Sequence, residues 1–316
     1  MPLKKILFID LLYSDGGSLD EDMKSITKAA SIDHHVEYLR FDAKSGYSAL
    51  LGVLVRVLTC RYDKIVFLSS KVNHLLLLTP LRLLAKCYVI YHYMPRHRQD
   101  FHKIALSLIH RYFVVGVYSE GVADKLEESI GFRPPIIPSR IVNRKKSLFE
   151  LRKKLSQDKI RMLVPGIRTG VRKGVKLTPI LTKLKSLDIN IDEIVVQGDI
   201  PYEEEFEVVR NVGKLPQEEY DQLYISSLIV AIEFDEDYEV RASGVILDAM
   251  RSGCLVLSSR HHIICQYGYP YTIVTDIEHL ESILFIIKEG SDEQALNLIP
   301  GFDIDEFENK WRSFLS

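Results

Sequence analysis

The chain has 316 residues, 47% of them hydrophobic and 27% charged, with a formal net charge of −2. That length predicts two domains, each with a core of its own. The balance excludes a disordered chain, and without a contiguous basic and aromatic platform it also argues against a nucleic-acid partner.

The charge is uneven. Residues 1–150 hold 22 Lys and Arg against 15 Asp and Glu, and the remainder is acidic. An anionic partner for the first half and a plain solubility effect both fit that asymmetry. The four cysteines, Cys60, Cys87, Cys254 and Cys265, have neither paired nor metal-like spacing. They read as reduced core residues of a cytoplasmic protein, and no spacing predicts a metal site. The N-terminus runs straight into a strand pattern, so no signal peptide is expected. The most apolar tract, residues 74–91, is interrupted by Pro80, Arg82 and Lys86. It falls short of the roughly 20 apolar residues that a membrane span needs.

In chain order, "KKILFID" is a strand, and Ser14, Asp15, Gly16 and Gly17 make a turn before an amphipathic helix. "HHVEYLRF" is a strand and "GYSALLGVLVRVLTCR" has helical spacing. "DKIVFLSS" is a strand, "NHLLLLTPLRLLAK" a buried helix and "CYVIYHYM" a strand. "FHKIALSLIHRY" is a helix, "FVVGVYS" a strand, and Ser119 is the start signal of the helix "EGVADKLEESIG". "PPIIPSRIV" is extended, and "NRKKSLFELRKKLSQDK" is a charged linker followed by a helix. From "IRMLVPG" onward strand and helix alternate again, and "FDIDEFENKWRSFLS" closes with Phe307, Trp311 and Phe314 on one side of a helix. Buried strands alternating with helices predict parallel sheets covered on both faces. The expected fold class is therefore α/β, with two Rossmann-like doubly wound domains facing across a cleft. The first covers 1–145 and the second 146–300, with 301–316 a helix crossing back to the first. Ligands of such sheets bind at the carboxyl ends of the strands.

Two stretches there carry candidate chemistry. "PGIRTGVRKGVKL" follows a strand and sets Arg168, Arg172, Lys173 and Lys176 among glycines, which lets backbone and cations approach a phosphate. It lacks the ending of a Walker loop, and a basic surface loop is the plain alternative. "RASGVILDAMRSGC" places Ser243 and Gly244 where a helix starts, with Asp248 about one turn inside. Amides at a helix start bind anions, and a carboxylate one turn on can hold a ribose diol. A core helix with one acid at its surface is the alternative.

Together these residues resemble the C-terminal domain of GT-B nucleotide-sugar glycosyltransferases, in particular the retaining group called family 4. Gly166, Arg168, Lys173 and Gly174 match that family's Gly-Arg loop and later Lys-Gly. "LDAMRSGCLVLSS" matches its second acid, Ala-Met and glycine before a strand. In outline the resemblance spans the whole chain, from the "FIDLLYSDGG" glycine loop and the strand ending at His92 to the final helix. It departs at the first acid: eight residues before Asp248 stands Val240. Either Glu239 takes that place, or Arg241 and Ser243 substitute for it.

The resemblance implies a glycosyltransferase moving a sugar from a UDP-sugar or GDP-sugar donor to a glycan or lipid-linked acceptor, in cell-surface polysaccharide synthesis. It implies that Arg168 and Lys173 neutralise the departing diphosphate and that Gly16, Gly17, Gly166, Ser243 and Gly244 complete the cradle. Asp248 holds the ribose, and His92 stands near the sugar. A retaining, metal-independent reaction without added cofactor is implied. A non-catalytic homologue acting as partner of an active transferase, and a sugar-nucleotide epimerase, remain as alternatives. Residues 82–111 combine Arg82, Lys86, Arg96, Arg98, Lys103 and Arg111 with apolar side chains. That mixture predicts peripheral contact with an anionic membrane on its cytoplasmic face; the alternative is a solvated basic surface over an ordinary core.

Overall fold

The computed structural model describes residues 3–13, 19–42, 46–94, 100–167, 172–173, 175–198, 209–213, 215–235, 240–241, 243–258, 262–265, 273–274, 279–299 and 301–316. The chain forms two compact units. The first joins Met1–Arg140 with Glu239–Ala242 and Asp305–Ser316, and the second joins Ile141–Tyr238 with Ser243–Ile304.

The first unit opens with β1 (Lys4–Tyr13), α1 (Leu19–Ser31), β2 (His34–Asp42), α2 (Gly46–Thr59) and β3 (Lys64–Ser69). There follow α3 (Val72–Leu78), a 3-10 turn (Thr79–Leu83), β4 (Lys86–Tyr91), β5 (Tyr93–Met94), α4 (Asp100–Tyr112), β6 (Val114–Val117) and α5 (Glu120–Ile130). Its parallel sheet has the order β2-β1-β3-β4-β6. The β3 strand, KIVFLS, is buried along its whole length, as a strand covered on both faces must be. Leu7, Ile9, Ile65, Phe67, Val89 and Val115 share one core cluster with residues of α2, α3, α4 and α5, which cover that face.

The second unit contains α6 (Arg144–Leu155), β7 (Arg161–Ile167), β8 (Arg172–Lys173), α7 (Leu177–Ser186), β9 (Glu193–Gly198), β10 (Val209–Val212), α8 (Gln217–Ser226) and β11 (Ile229–Phe234). Next comes β12 (Val240–Arg241), which belongs to the first unit and pairs there with β5. The second unit resumes with α9 (Gly244–Arg251), β13 (Leu255–Ser258), α10 (His262–Cys265), β14 (Ile273–Val274), α11 (Leu280–Glu289) and α12 (Asp292–Leu296). Its sheet runs β10-β9-β7-β11-β13-β14 in parallel, with β8 laid antiparallel against β11. Asn143 caps α6 by accepting from the Lys146 amide at 2.9 Å. The charged stretch at 143–159 is thus chiefly a packed helix, burying Leu148 and Leu151.

The final helix, α13 (Ile304–Leu315), buries Phe307, Trp311 and Phe314, the stripe its spacing marks. The Trp311 ring meets Phe8 edge-on at 6.4 Å, Phe314 meets Tyr88 at 5.3 Å, and the Trp311 indole donates to the Pro138 carbonyl at 2.9 Å. Lys64, buried at the start of β3, donates to the Leu315 carbonyl at the end of the helix. Gly116 makes this contact possible, because a Cβ there would stand 2.9 Å from the Phe314 ring.

One local expectation is corrected. "NHLLLLTPLRLLAK" is a short α-helix that tightens into a 3-10 turn, because Pro80 has no amide to continue the ladder. Nor is it buried throughout, since Leu77, Leu83 and Leu84 are exposed. Ser119 does stand at the N-cap of α5, but its hydroxyl makes no capping bond.

Candidate functional site

Polar residues gather at the carboxyl edge of each sheet. In the first unit Asp10 lies on β1 and is buried despite its charge. A buried carboxylate needs donors, and it has two: the Leu12 amide at 3.0 Å and the Ser69 hydroxyl from the end of β3. His92 follows β4. Its Nε2 donates to the Leu68 carbonyl, which fixes the tautomer and turns the ring. That ring meets Tyr118 edge-on at 4.6 Å. Tyr118 follows β6 and is buried, and among the described residues its hydroxyl has no hydrogen-bond partner. Burial pushes its phenol well above the usual range, with the Asp22 and Asp10 carboxylates adding to the effect. Asp22 on α1 forms a buried ion pair with Arg140. Arg241 also belongs here: its backbone pairs with Tyr93, the residue after His92.

In the second unit Gly166 stands near the end of β7 with φ +62, a left-handed conformation that glycine adopts without strain. Its amide donates to Gln197 Oε1 at 2.8 Å, which ties the β7 turn to β9. The basic loop then returns to the sheet. Lys173 pairs with Glu233 and Arg172 with Phe234, so the Lys173 backbone lies at the carboxyl end of β11. The α9 helix starts beyond the same strand. Ser243 is its N-cap, with the hydroxyl accepting from the Ile246 amide at 3.4 Å. Gly166, Lys173 and the Ser243–Gly244 helix start therefore share one edge of one sheet. Gly16, Gly17, Arg168 and Glu239 lie outside the described residues.

Asp248 is half-buried on α9. Its side chain lines a groove of about 640 Å³ between α6, α8 and α9. Lys146, Lys153 and Arg251 line the same groove, as do Glu150 and Asp221. Gly253 just after α9 has φ +66, and a Cβ there would stand 2.5 Å from the Ser147 carbonyl of α6. Nearby, the ammonium of buried Lys154 donates to the Tyr224 carbonyl at 3.0 Å and to the Ser252 carbonyl at 2.6 Å. It thus satisfies the carboxyl ends of α8 and α9 together. The Cys254 thiol, its pKa raised by burial and lowered in part by Lys154, donates to the Tyr224 and Ser227 carbonyls.

The sequence reading missed Asp10, Asp22, Tyr118 and Arg140. Asp10 had a signal, a lone acid closing the apolar run KKILFID. The Asp22–Arg140 pair had none, since 118 residues separate its members. Among the described residues no group of three His, Cys, Asp or Glu could hold a metal ion.

No protein-family model matches the chain, and no curated protein matches it either. Solved structures do. A glycosyltransferase from Rickettsia africae ESF-5 is 14% identical over 100% of both chains, with a TM-score of 0.63. Anabaena HepE, in complex with UDP and glucose, is 16% identical over 99% of both, with a TM-score of 0.57. A Listeria monocytogenes chain assigned to the UDP-N-acetylglucosamine 2-epimerases is 10% identical over 100% of this chain and 95% of its own, at 0.52. These likenesses run the full length of the chain, and with the two parallel-sheet units they establish its fold as GT-B.

Proposed function

We propose that the chain is a glycosyltransferase. It would move a hexose-type sugar from a nucleoside diphosphate donor to a glycan or lipid-linked acceptor, in assembly of a cell-surface polysaccharide on the cytoplasmic face of a membrane. The observation that carries this reading is the convergence of Gly166, the Lys173 backbone and the capped start of α9 on one sheet edge. A glycine turn, a cation and a helix start are what a diphosphate requires. HepE, of the same fold, binds UDP and glucose, which supports a nucleotide-sugar donor.

In this reading Arg168 and Lys173 stabilise the negative charge that grows on the leaving diphosphate as the glycosidic bond breaks. They take the place that a metal ion would fill. Amides near Ser243 and Gly244, with Gly16 and Gly17, complete the cradle, and Asp248 holds the ribose. His92, held by Leu68, stands at the sugar with Arg241 close by, and Glu239 takes the place of the first acid. The anomeric configuration is retained. Residues 82–111 meet an anionic membrane, where a lipid-linked acceptor would lie.

The test is thermal stability with UDP, GDP and free sugars. A nucleotide that binds only the folded state stabilises it by about 2.7 kcal/mol at a hundredfold excess over its dissociation constant. Lys173→Ala should abolish the shift and leave the fold intact. Absence of a shift with every nucleotide, in folded protein, refutes the donor and favours a non-catalytic partner of another transferase. The Listeria likeness keeps an epimerase as second reading, and product analysis separates the two: a changed sugar still joined to its nucleotide would establish epimerisation.

A further inference from the structure

The α2 helix has two apolar faces. Ala49, Leu50, Val53 and Val57 pack into the core, as a helix covering a sheet requires. On its outer side stand Tyr47, Leu51, Val55 and Leu58, each 54 to 68% exposed. Their spacing of four, four and three residues lines them up along one stripe. Neighbouring elements continue it. Leu77, Leu83 and Leu84 are exposed on α3 and the turn after it, and Ile104 and Leu108 on α4. The α2, α3 and α4 helices pack beside one another on the same face of the same sheet. Exposed apolar side chains gathered on neighbouring helices of one sheet face mark an interaction site.

Its charge selects the partner. Between Asp42 and Glu120 the chain holds two acids, Asp63 and Asp100, against eleven Lys and Arg. Asp63 is occupied elsewhere, accepting from the Lys5 amide at the amino edge of the sheet. Arg82, Lys103 and Arg111 stand exposed among the apolar residues, Arg82 over the Tyr112 ring at 4.1 Å.

We propose that the outward stripe of α2, continued by α3 and α4, inserts into the surface of an anionic lipid bilayer while Arg82, Lys103 and Arg111 engage its headgroups. This extends the contact proposed for residues 82–111 to α2 as its main apolar element, and it holds whether or not the chain transfers a sugar. A second copy of the chain would match the apolar stripe but would bring basic residues against basic residues.

Flotation of the full chain with vesicles tests this. The chain should bind vesicles of equimolar phosphatidylcholine and phosphatidylglycerol and leave phosphatidylcholine vesicles unbound. Binding should weaken about thirtyfold for each cation reversed among Arg82, Lys103 and Arg111. The variant Leu51→Ser/Val55→Ser/Leu58→Ser should lose at least a hundredfold in affinity, with its circular dichroism and any nucleotide-induced thermal shift unchanged. Folded protein that ignores anionic vesicles overturns the proposal. So does a concentration-dependent dimer that the triple variant abolishes. Loss in the charge-reversed variants with full binding by the triple variant would remove α2 from the contact. Failure of the nucleotide shift alone bears on the transfer reaction and leaves this surface standing.

Discussion

Lys154→Met isolates one buried cation in the second unit. Methionine keeps most of the lysine stem and removes the ammonium that serves the Tyr224 and Ser252 carbonyls. Tyr224 keeps the Cys254 thiol as a donor at 3.2 Å, so the larger loss falls at Ser252. Hydrogen bonds from a charged donor contribute about 1.5–3 kcal/mol each. Relief of the ammonium's desolvation offsets part of that sum. We expect a net loss of about 3 kcal/mol, a fall of about 1.5 M in urea midpoint for a slope of about 2 kcal/mol per molar. Circular dichroism reports both units, whereas the chain's one tryptophan, Trp311, lies in the first. The dichroism transition should therefore move further than the fluorescence transition. Lys153→Met, one residue away and exposed, serves as control and should change stability by less than about 0.5 kcal/mol. A Lys154→Met midpoint that matches this control would refute the bridging role.

Gly253→Ala should lower the melting temperature by roughly 6–12 °C, because left-handed strain and a clash with α6 together cost about 3 kcal/mol; an unchanged melting curve would refute the tight α6–α9 contact. Tyr118→Phe should leave stability equal or higher by calorimetry, since the hydroxyl it removes has no partner among the described residues, and a clear loss would show that the hydroxyl is engaged. Burial depresses the pKa of His34, His74 and His110 below 6.5. The unfolded chain then binds more protons than the folded one, so stability present above pH 6.5 is lost as pH falls through the folded values. Urea midpoints read by Trp311 fluorescence between pH 8 and pH 5 should fall on the acid side, and less so in His74→Phe; a flat profile would contradict the burial of these imidazoles.

Alternation and turn chemistry carried most of the architecture in the sequence. Continuous apolar runs such as KIVFLS and IVAIEF are the mark of strands covered on both faces, and both are interior strands of parallel sheets. The Ser243 cap was legible because serine before an apolar helical run has few other uses there. Less legible was which apolar residues face outward. The outer stripe of α2 and the "buried" leucines after His74 look the same in a hydrophobicity pattern as residues that fill a core. Long-range polar pairs were silent as well: Asp22 meets Arg140, and Lys154 meets Ser252, across separations that no local spacing encodes. The pairing of Val240–Arg241 within the first unit was also hidden, because a two-residue ribbon such as β12 with β5 has no periodicity to read.

The first unit is assembled from three separate stretches of chain, and the last of them is α13. During synthesis on a ribosome, Phe8 and Tyr88 must wait for Trp311 and Phe314 while the whole of the intervening unit is being made. The later-encoded unit can therefore finish folding before the earlier one. Until the closing helix arrives, the nascent N-terminal sheet presents a bare aromatic face that chaperones would recognise.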